Sequence, residues 1–157
     1  MCRRHGVPTS GLVLEVTESM VVADPARALP ILSRLHELGV ELSIDDFGTG
    51  YSSMEYLKLL PVSEVKIDRS FVMSMAHDAR DAAIVACTVQ LASSLGLRVV
   101  AEGVETQEIS SLLATMGCDL GQGYSFSRAL PAGEFAAWVT HDRANTRSIG
   151  NVIALRA

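Results

Sequence analysis

Acidic residues recur along this chain at the ends of apolar segments. Asp45 and Asp46 are adjacent at the end of one such segment, and Glu15 and Glu102 lie in two others. Like charges this close repel each other, and a dry environment would force one of them to take up a proton. A divalent cation removes that conflict, and a ligand set made only of oxygen atoms favours Mg²⁺ or Mn²⁺ over Zn²⁺. The acids therefore predict a metal site.

A lysine accompanies these acids. Lys66 lies in a further strand-like segment and, as a cation, is suited to hold a phosphate or to orient a metal-bound water. Two clustered ions can activate water and stabilise a leaving oxygen, so the reaction class that these residues indicate is metal-assisted phosphoester hydrolysis. A single acid such as Glu105 could instead cap the helix that follows it. Five segments in succession carry such groups near their ends, which favours a common site: Glu15 and Glu18, Asp45 and Asp46, Lys66 and Asp68, Glu102 and Glu105, and Gln122.

The elements that must position these residues alternate along the chain. The apolar segments predict strands at 12–19, 40–46, 62–68, 97–104 and 120–126. Helical patterns follow them at 24–38, from the turn at 47–50 to residue 60, and at 81–95, 107–116 and 132–140. This order predicts an α/β fold with a parallel sheet covered by helices, either an open doubly wound sheet or a (β/α) barrel. The carboxyl ends of its strands would meet at one edge, where such folds place their active sites.

Length and composition limit the class of protein. A chain of 157 residues with 48% hydrophobic residues predicts one globular domain. Its longest apolar run, 82–87, is far shorter than the roughly 20 residues that a membrane helix needs. The net charge of −5 argues against nucleic-acid polymers and membrane surfaces as partners. Three widely spaced cysteines fit reduced thiols in a cytoplasmic protein.

Four sequence blocks resemble the signature motifs of bacterial EAL domains. They are Asp45-Asp46-Phe47-Gly48-Thr49-Gly50-Tyr51-Ser52-Ser53, Lys66-Ile67-Asp68-Arg69-Ser70-Phe71-Val72, Ala101-Glu102-Gly103-Val104-Glu105-Thr106 and Gly121-Gln122-Gly123-Tyr124. The resemblance runs from about residue 12 to residue 139. It implies a TIM-barrel phosphodiesterase of bacterial second-messenger signalling that uses Mg²⁺ or Mn²⁺, with two ions in the complete domain. Its substrate would be cyclic di-GMP and its product linear pGpG.

The resemblance also implies a role for each matching residue. It assigns metal binding to Glu15, Asp45, Asp46, Glu102 and Gln122. It assigns catalytic roles to Lys66, which would contact the attacking water, to Glu102, and to Glu105 as a supporting acid. It assigns support of the substrate or of the 47–53 loop to Glu18, Asp68, Gly48, Thr49 and Gly50. That loop couples the dimer interface of the family to the metal site.

One departure from the family pattern qualifies these expectations. The Glu-Ala-Leu motif that names the family does not occur in the sequence. We therefore expect an incomplete barrel of about five strands, with a leader at 1–11, a partial EAL domain at 12–140 and a tail or linker at 141–157. Interior residues such as Leu14, Ile44, Ile67 and Val100 would then be less enclosed than in a whole barrel.

Two functions remain open at this point. One is a phosphodiesterase whose activity as this chain alone is doubtful. The other is a noncatalytic EAL module that binds cyclic di-GMP or a protein partner, inactive because the N-terminal strands are missing. A homodimer, or the missing N-terminal part of the domain, is the expected protein partner.

Overall fold

A computed structural model describes residues 2–49 and 54–145 of the chain. The strands are β1 (Val13–Thr17), β2 (Glu41–Phe47), β3 (Glu64–Ile67), β4 (Arg98–Glu102) and β5 (Leu120–Gln122). The helices are α1 (Cys2–His5), α2 (Glu18–Ala23), α3 (Pro25–Glu37), α4 (Met54–Leu59), α5 (Arg69–Ser74), α6 (Ala79–Ser94), α7 (Gln107–Met116) and α8 (Ala132–Asn145), with a 3₁₀ turn at Thr9–Gly11.

The strands form one sheet in the order β1-β2-β3-β4-β5, and all four neighbouring pairs are parallel. At least one helix follows each strand, which is the connection that parallel neighbours require. The predicted α/β fold with five parallel strands and flanking helices is confirmed. Because the strands are parallel, their carboxyl ends share one edge of the sheet.

Helix starts follow the capping residues. Asp24 caps α3 by accepting a hydrogen bond from the Arg27 backbone N–H, with Pro25 in the first helical position, as the sequence predicts. Asp78 caps α6 in the same way, so that helix begins two residues before the predicted position at 81. The sequence pattern also placed Ile84 on the inward face of α6. That placement is wrong, since Ile84 is exposed and Val85 beside it is buried.

Every predicted strand except the one at 40–46 is longer than the strand observed. The segment at 12–19 gives way at Glu18 to α2, whose positive N-terminus favours an acid in its first turn. The segment at 97–104 ends at Glu102, because Gly103 has a φ of +70° and leaves the extended conformation. Helix α5 is an element that the sequence reading missed. Its N-cap is Asp68, which accepts a hydrogen bond from the Ser70 backbone N–H.

The core lies between the sheet and the helices. The strand residues buried in its three clusters are Leu42, Ile44, Phe47, Val65, Ile67, Val99 and Ala101. Because side chains alternate along a strand, Ser43, Asp45, Glu64, Lys66 and Glu102 lie on the opposite face. We call this opposite face the inner face of the sheet. It is mostly polar.

This packing corrects one expectation about the barrel interior. Ile44 and Ile67 belong to the helix-side core and are fully buried, and Leu14 packs against the same side. Val100 alternates with core residues and so lies on the inner face, where it is also buried. Ile44 and Ile67 are therefore helix-side core residues and not residues of the barrel interior, while Leu14 is half-buried.

Three further findings concern the ends of the chain and its thiols. Helix α8 continues to Asn145, beyond the predicted end at 140, while 146–157 of the predicted tail lie outside the described residues.

Cys2, Cys87 and Cys118 are free thiols. Among the described residues, the helices are too short or too polar to cross a membrane.

Candidate metal and catalytic site

A buried lysine lies at the centre of the candidate site. The Nζ atom of Lys66 lies 2.6 Å from Glu102 Oε1, 2.9 Å from Glu15 Oε1 and 3.1 Å from Asp45 Oδ1. These residues come from four neighbouring strands, and all lie on the inner face near the carboxyl ends. The structure therefore brings together acids that are up to 87 positions apart in the chain (102 − 15) around one ammonium group.

The adjacent pair Asp45-Asp46 reaches the site through a break in the strand ladder. The pairing of β2 with β3 shifts between Ile44 and Phe47, and Asp46 has a φ of +54°. Such a left-handed conformation is uncommon for a residue other than glycine, although aspartate tolerates it better than most. A regular strand would direct the two side chains to opposite faces. The bulge instead places both carboxylates at the rim, which is one of the two arrangements that the sequence allows.

Carboxylate oxygens of Asp45, Asp46 and Glu102 lie within 4.8 Å of one another. Burial, followed by the charges of Asp45 and Asp68, raises the pKa of Asp46. The Oδ1 atom of Asp45 is buried, and the ion pair with Lys66 gives it no hydrogen bond of good geometry. Crowded negative charge and a poorly satisfied oxygen are what a hard divalent cation corrects, so these donors fit Mg²⁺ or Mn²⁺.

The protonation state of Lys66 follows from its neighbours. Burial alone would lower the pKa of its ammonium group, but the hydrogen bonds to Glu102 and Glu15 and the carboxylate of Asp45 raise that pKa by more. The net pKa lies above the ordinary lysine value. Lys66 is therefore a cation at neutral pH and cannot act there as a general base.

Glu18 and the start of the glycine turn form a supporting group. The Gly48 backbone N–H donates to Glu18 Oε2 at 3.4 Å, and Gly48 has a φ of +95°, which favours glycine. Thr49 Oγ1 donates to the Asp46 carbonyl oxygen at 2.8 Å. Glu18 is buried and is the first residue of α2, so this hydrogen bond ties the turn to the start of that helix. Gly50, the other predicted loop residue, lies outside the described residues.

Asp68 links the site to α5. Its Oδ1 atom accepts hydrogen bonds from both the backbone N–H and the hydroxyl of Ser70. Burial raises the pKa of Asp68, but the Ser70 hydrogen bonds, a hydrogen bond to the Arg69 backbone and the Arg69 charge together lower it by more, so the net shift is downward. Asp68 is thus an anion beside Asp46, where it adds to the negative charge.

The two remaining predicted residues differ in position. Gln122 pairs with Glu102 across the β4–β5 ladder, so its side chain emerges on the same face at the same edge. Glu105 is exposed in the connection to α7 and belongs neither to the Lys66 ion pairs nor to the group of three acids. The structure therefore brings Gln122 to the site edge and does not bring Glu105 into the described cluster.

Sequence reasoning missed a second ion cluster at the other end of the inner face. The Nη2 atom of Arg98 lies 2.5 Å from Glu41 Oε2 and 3.4 Å from Glu64 Oε2. All three residues begin strands, and Glu64 is buried. A signal was present, because charged residues at the starts of three neighbouring strands are placed side by side by a parallel sheet.

The fold and the acid cluster define a class: a parallel α/β protein with a group of carboxylates around a buried lysine at the carboxyl ends of its strands. A family model described as the EAL domain matches residues 1–129. The chain belongs to the EAL domain family, which confirms the resemblance seen in the four sequence blocks.

Named relatives agree with this assignment. The chain is 51% identical over 136 residues to a Pseudomonas aeruginosa protein named as the bifunctional diguanylate cyclase/cyclic di-GMP phosphodiesterase MucR, covering 87% of this chain and 20% of that protein. Over 129 residues it is 41% identical to the cyclic di-GMP phosphodiesterase RocR of the same organism, covering 82% of this chain and 33% of RocR. The chain thus spans between a fifth and a third of the length of these two relatives.

Solved structures share the fold. The c-di-GMP complex of the PaMucR phosphodiesterase superposes with a TM-score of 0.82 at 50% identity, covering 85% of this chain and 54% of that one. A manganese and cyclic di-GMP complex of Klebsiella pneumoniae BlrP1 superposes with a TM-score of 0.75 at 36% identity, covering 80% of this chain and 32% of that one. Structural neighbours of this fold are thus known with divalent metal and with cyclic di-GMP.

Proposed function

We propose that this chain forms the metal-binding and water-orienting part of a phosphodiesterase that hydrolyses cyclic di-GMP to linear pGpG. The observation that carries the proposal is the arrangement of Glu15, Asp45 and Glu102 around Lys66, with Asp46 beside them. We choose cyclic di-GMP as the substrate because two relatives are named as cyclic di-GMP phosphodiesterases. Bacterial cytoplasm is the compartment we propose.

The residues that would hold the cation are Asp45, Asp46 and Glu102, with Glu15 and Gln122 at the margin of the group. A divalent cation at these ligands supplies Lewis acidity, which lowers the pKa of water and offsets charge on a phosphate. Mg²⁺ and Mn²⁺ are the ions we propose, since all the side-chain donors are oxygen atoms.

Lys66 has a different task from the acids. Because it stays protonated, it can donate hydrogen bonds to the attacking water or to a phosphate oxygen but cannot remove a proton. Glu102 contacts Lys66 directly and shares the acid group with Asp45 and Asp46, so it is the residue we assign to hold both the cation and the lysine. Glu105 stays a proposed supporting acid.

The supporting residues hold the acids in place. Glu18 and Gly48 fix the start of the loop after β2, Thr49 fixes the backbone of Asp46, and Asp68 lies against Asp46. A dimer interface acting through this loop would change the position of Asp46 first, because the loop begins at the next residue.

The test is hydrolysis of cyclic di-GMP with Mg²⁺ or Mn²⁺, followed as the appearance of pGpG. We expect weak turnover by the 157-residue chain and full turnover once a segment carrying a Glu-Ala-Leu strand is supplied in cis or as a second chain. Binding of cyclic di-GMP without hydrolysis in the supplemented protein would favour a noncatalytic binding module instead. If the supplemented protein shows no binding and no hydrolysis of cyclic di-GMP, that result would contradict the proposal.

A further inference from the structure

The residue that follows Glu102 makes an unusually close contact. Gly103 has a φ of +70°, and a Cβ atom built on it would lie 2.7 Å from Arg69 Cβ and 3.3 Å from Arg69 Cα. Carbon atoms of real side chains do not approach so closely, so a side chain at this position would push the start of α5 away. Arg69 directly follows Asp68, and the contact therefore joins the carboxyl ends of β3 and β4.

The next residue is held from the other side. Val104 donates its backbone N–H to the Gln122 carbonyl oxygen at 3.1 Å, and its own carbonyl accepts from the Ser125 N–H at 2.9 Å. A Cβ atom on Gly123 would lie 2.2 Å from the Val104 carbonyl oxygen. Val104 is fully buried, so the segment after Glu102 is fixed between α5 and the turn after β5.

We propose that Gly103 is a positioning residue: by allowing β4 to approach Arg69, it sets the distance between Glu102 and Lys66 and so the shape of the cation site. The Lys66 Nζ and Glu102 Oε1 atoms are 2.6 Å apart, so the two side chains are in direct contact. Moving a Cβ atom on Gly103 from 2.7 Å to an ordinary contact distance of at least 3.4 Å from Arg69 would displace the adjacent Glu102 relative to Lys66, Asp45 and Asp46. The inference rests on the proposed function, since it assigns Glu102 to the cation.

The chain offers a matched control for backbone strain. Gly96 has a φ of +71°, almost the value at Gly103, but a Cβ atom there would meet nothing within 4 Å. Gly103→Ala and Gly96→Ala therefore impose the same backbone strain, and only Gly103→Ala adds the collision with Arg69. We expect Gly103→Ala to weaken Mn²⁺ binding by the chain roughly tenfold or more, the size typical of residues that orient metal ligands. Gly96→Ala should bind Mn²⁺ as the wild type does.

A rescue variant separates positioning from general damage. Arg69→Gly removes the Cβ atom that Gly103→Ala would strike, so the double variant should recover the Mn²⁺ affinity of Arg69→Gly alone. If Gly103→Ala does not fold, the double variant should still fold and bind Mn²⁺. The comparison of its Mn²⁺ affinity with that of Arg69→Gly then tests the positioning role. Equal loss in Gly103→Ala and Gly96→Ala, or no recovery in the double variant, would overturn the proposal.

A second readout needs no metal. The ammonium resonance of Lys66 in ¹⁵N-edited NMR spectra is visible only while its hydrogens exchange slowly, which depends on its ion pairs. We expect it in the wild type and in Gly96→Ala, and we expect it to broaden or vanish in Gly103→Ala. If the wild type binds no Mn²⁺, the metal role fails, and this resonance alone decides the positioning role. An unchanged Lys66 resonance in Gly103→Ala would refute that role.

Discussion

The two ends of the inner face handle buried charge differently. At the N-terminal end, the guanidinium of Arg98 pairs with two carboxylates, those of Glu41 and Glu64. At the C-terminal end, one ammonium group faces four carboxylates, those of Glu15, Asp45, Asp46 and Glu102. The first cluster has one carboxylate more than it has cations, whereas the second has three more, a larger negative excess that a bound cation would offset. The comparison indicates that the N-terminal cluster stabilises the fold and that the C-terminal cluster is suited to catalysis, which is the usual division in barrels of this class.

The largest effect should come from removing a ligand at the C-terminal end. Asp45→Asn replaces a charged oxygen ligand by an amide, which binds a hard cation much more weakly. In a protein that contains the whole EAL domain, we expect the rate of pGpG formation to fall by on the order of 100-fold or more. Turnover that survives Asp45→Asn would refute the assignment of this residue to the metal.

Removing the lysine should separate chemistry from metal binding. Lys66→Met deletes the cation that competes for the same carboxylates, so Mn²⁺ should bind at least as tightly as in the wild type. Turnover should still fall, by about 100-fold, because the donor to water or phosphate is gone. Kinetic assays and Mn²⁺ titration of the same preparation check this, and a large loss of Mn²⁺ affinity would contradict the role given to Lys66.

Much of this contrast could be predicted from the sequence. The order of strands and helices, the single edge for the acids and the oxygen-only ligand set follow from hydrophobic patterns and residue types. The conformation of Asp46 could not be predicted, because the bulge depends on the pairing of β2 with β3. The Arg98 cluster left a signal in the charged residues that begin three strands, but the pairing of those residues depends on strand register. Helix α5 was missed because its six residues, Arg69–Ser74, are too few to show a helical pattern of apolar residues.

The N-terminal end should respond to substitution through stability alone. Arg98→Met leaves Glu64 buried without its cation, and we expect the free energy of unfolding to fall by about 2 kcal/mol, less than for a fully buried pair because Arg98 is partly exposed. Chemical denaturation measures this change. Mn²⁺ affinity should stay unchanged, and a parallel loss of Mn²⁺ binding would show that the two ends are not independent.

A smaller effect is expected from pH. The pKa of Asp46 is raised in the folded protein, mainly by burial and by Asp45 and Asp68, so this carboxylate takes up a proton at a higher pH than an ordinary aspartate. A protonated carboxylate is a poor ligand, and the increase in melting temperature caused by Mn²⁺ should therefore shrink as the pH falls, beginning above the usual aspartate pKa of about 3.9. In Asp46→Asn, the remaining Mn²⁺ effect should decline only at lower pH. An identical pH dependence in both proteins would contradict this origin.

The central claim is that the C-terminal cluster, and not the N-terminal one, holds the divalent cation. Paramagnetic Mn²⁺ broadens the NMR resonances of nearby residues, so a titration of the backbone amide spectrum locates the ion directly. We predict that Mn²⁺ broadens resonances around Asp45, Asp46 and Glu102 at a lower molar ratio than those around Glu41 and Glu64, because the broadening falls steeply with distance from the ion. Broadening centred on Glu41 and Glu64, or spread without preference over the surface acids, would contradict the account.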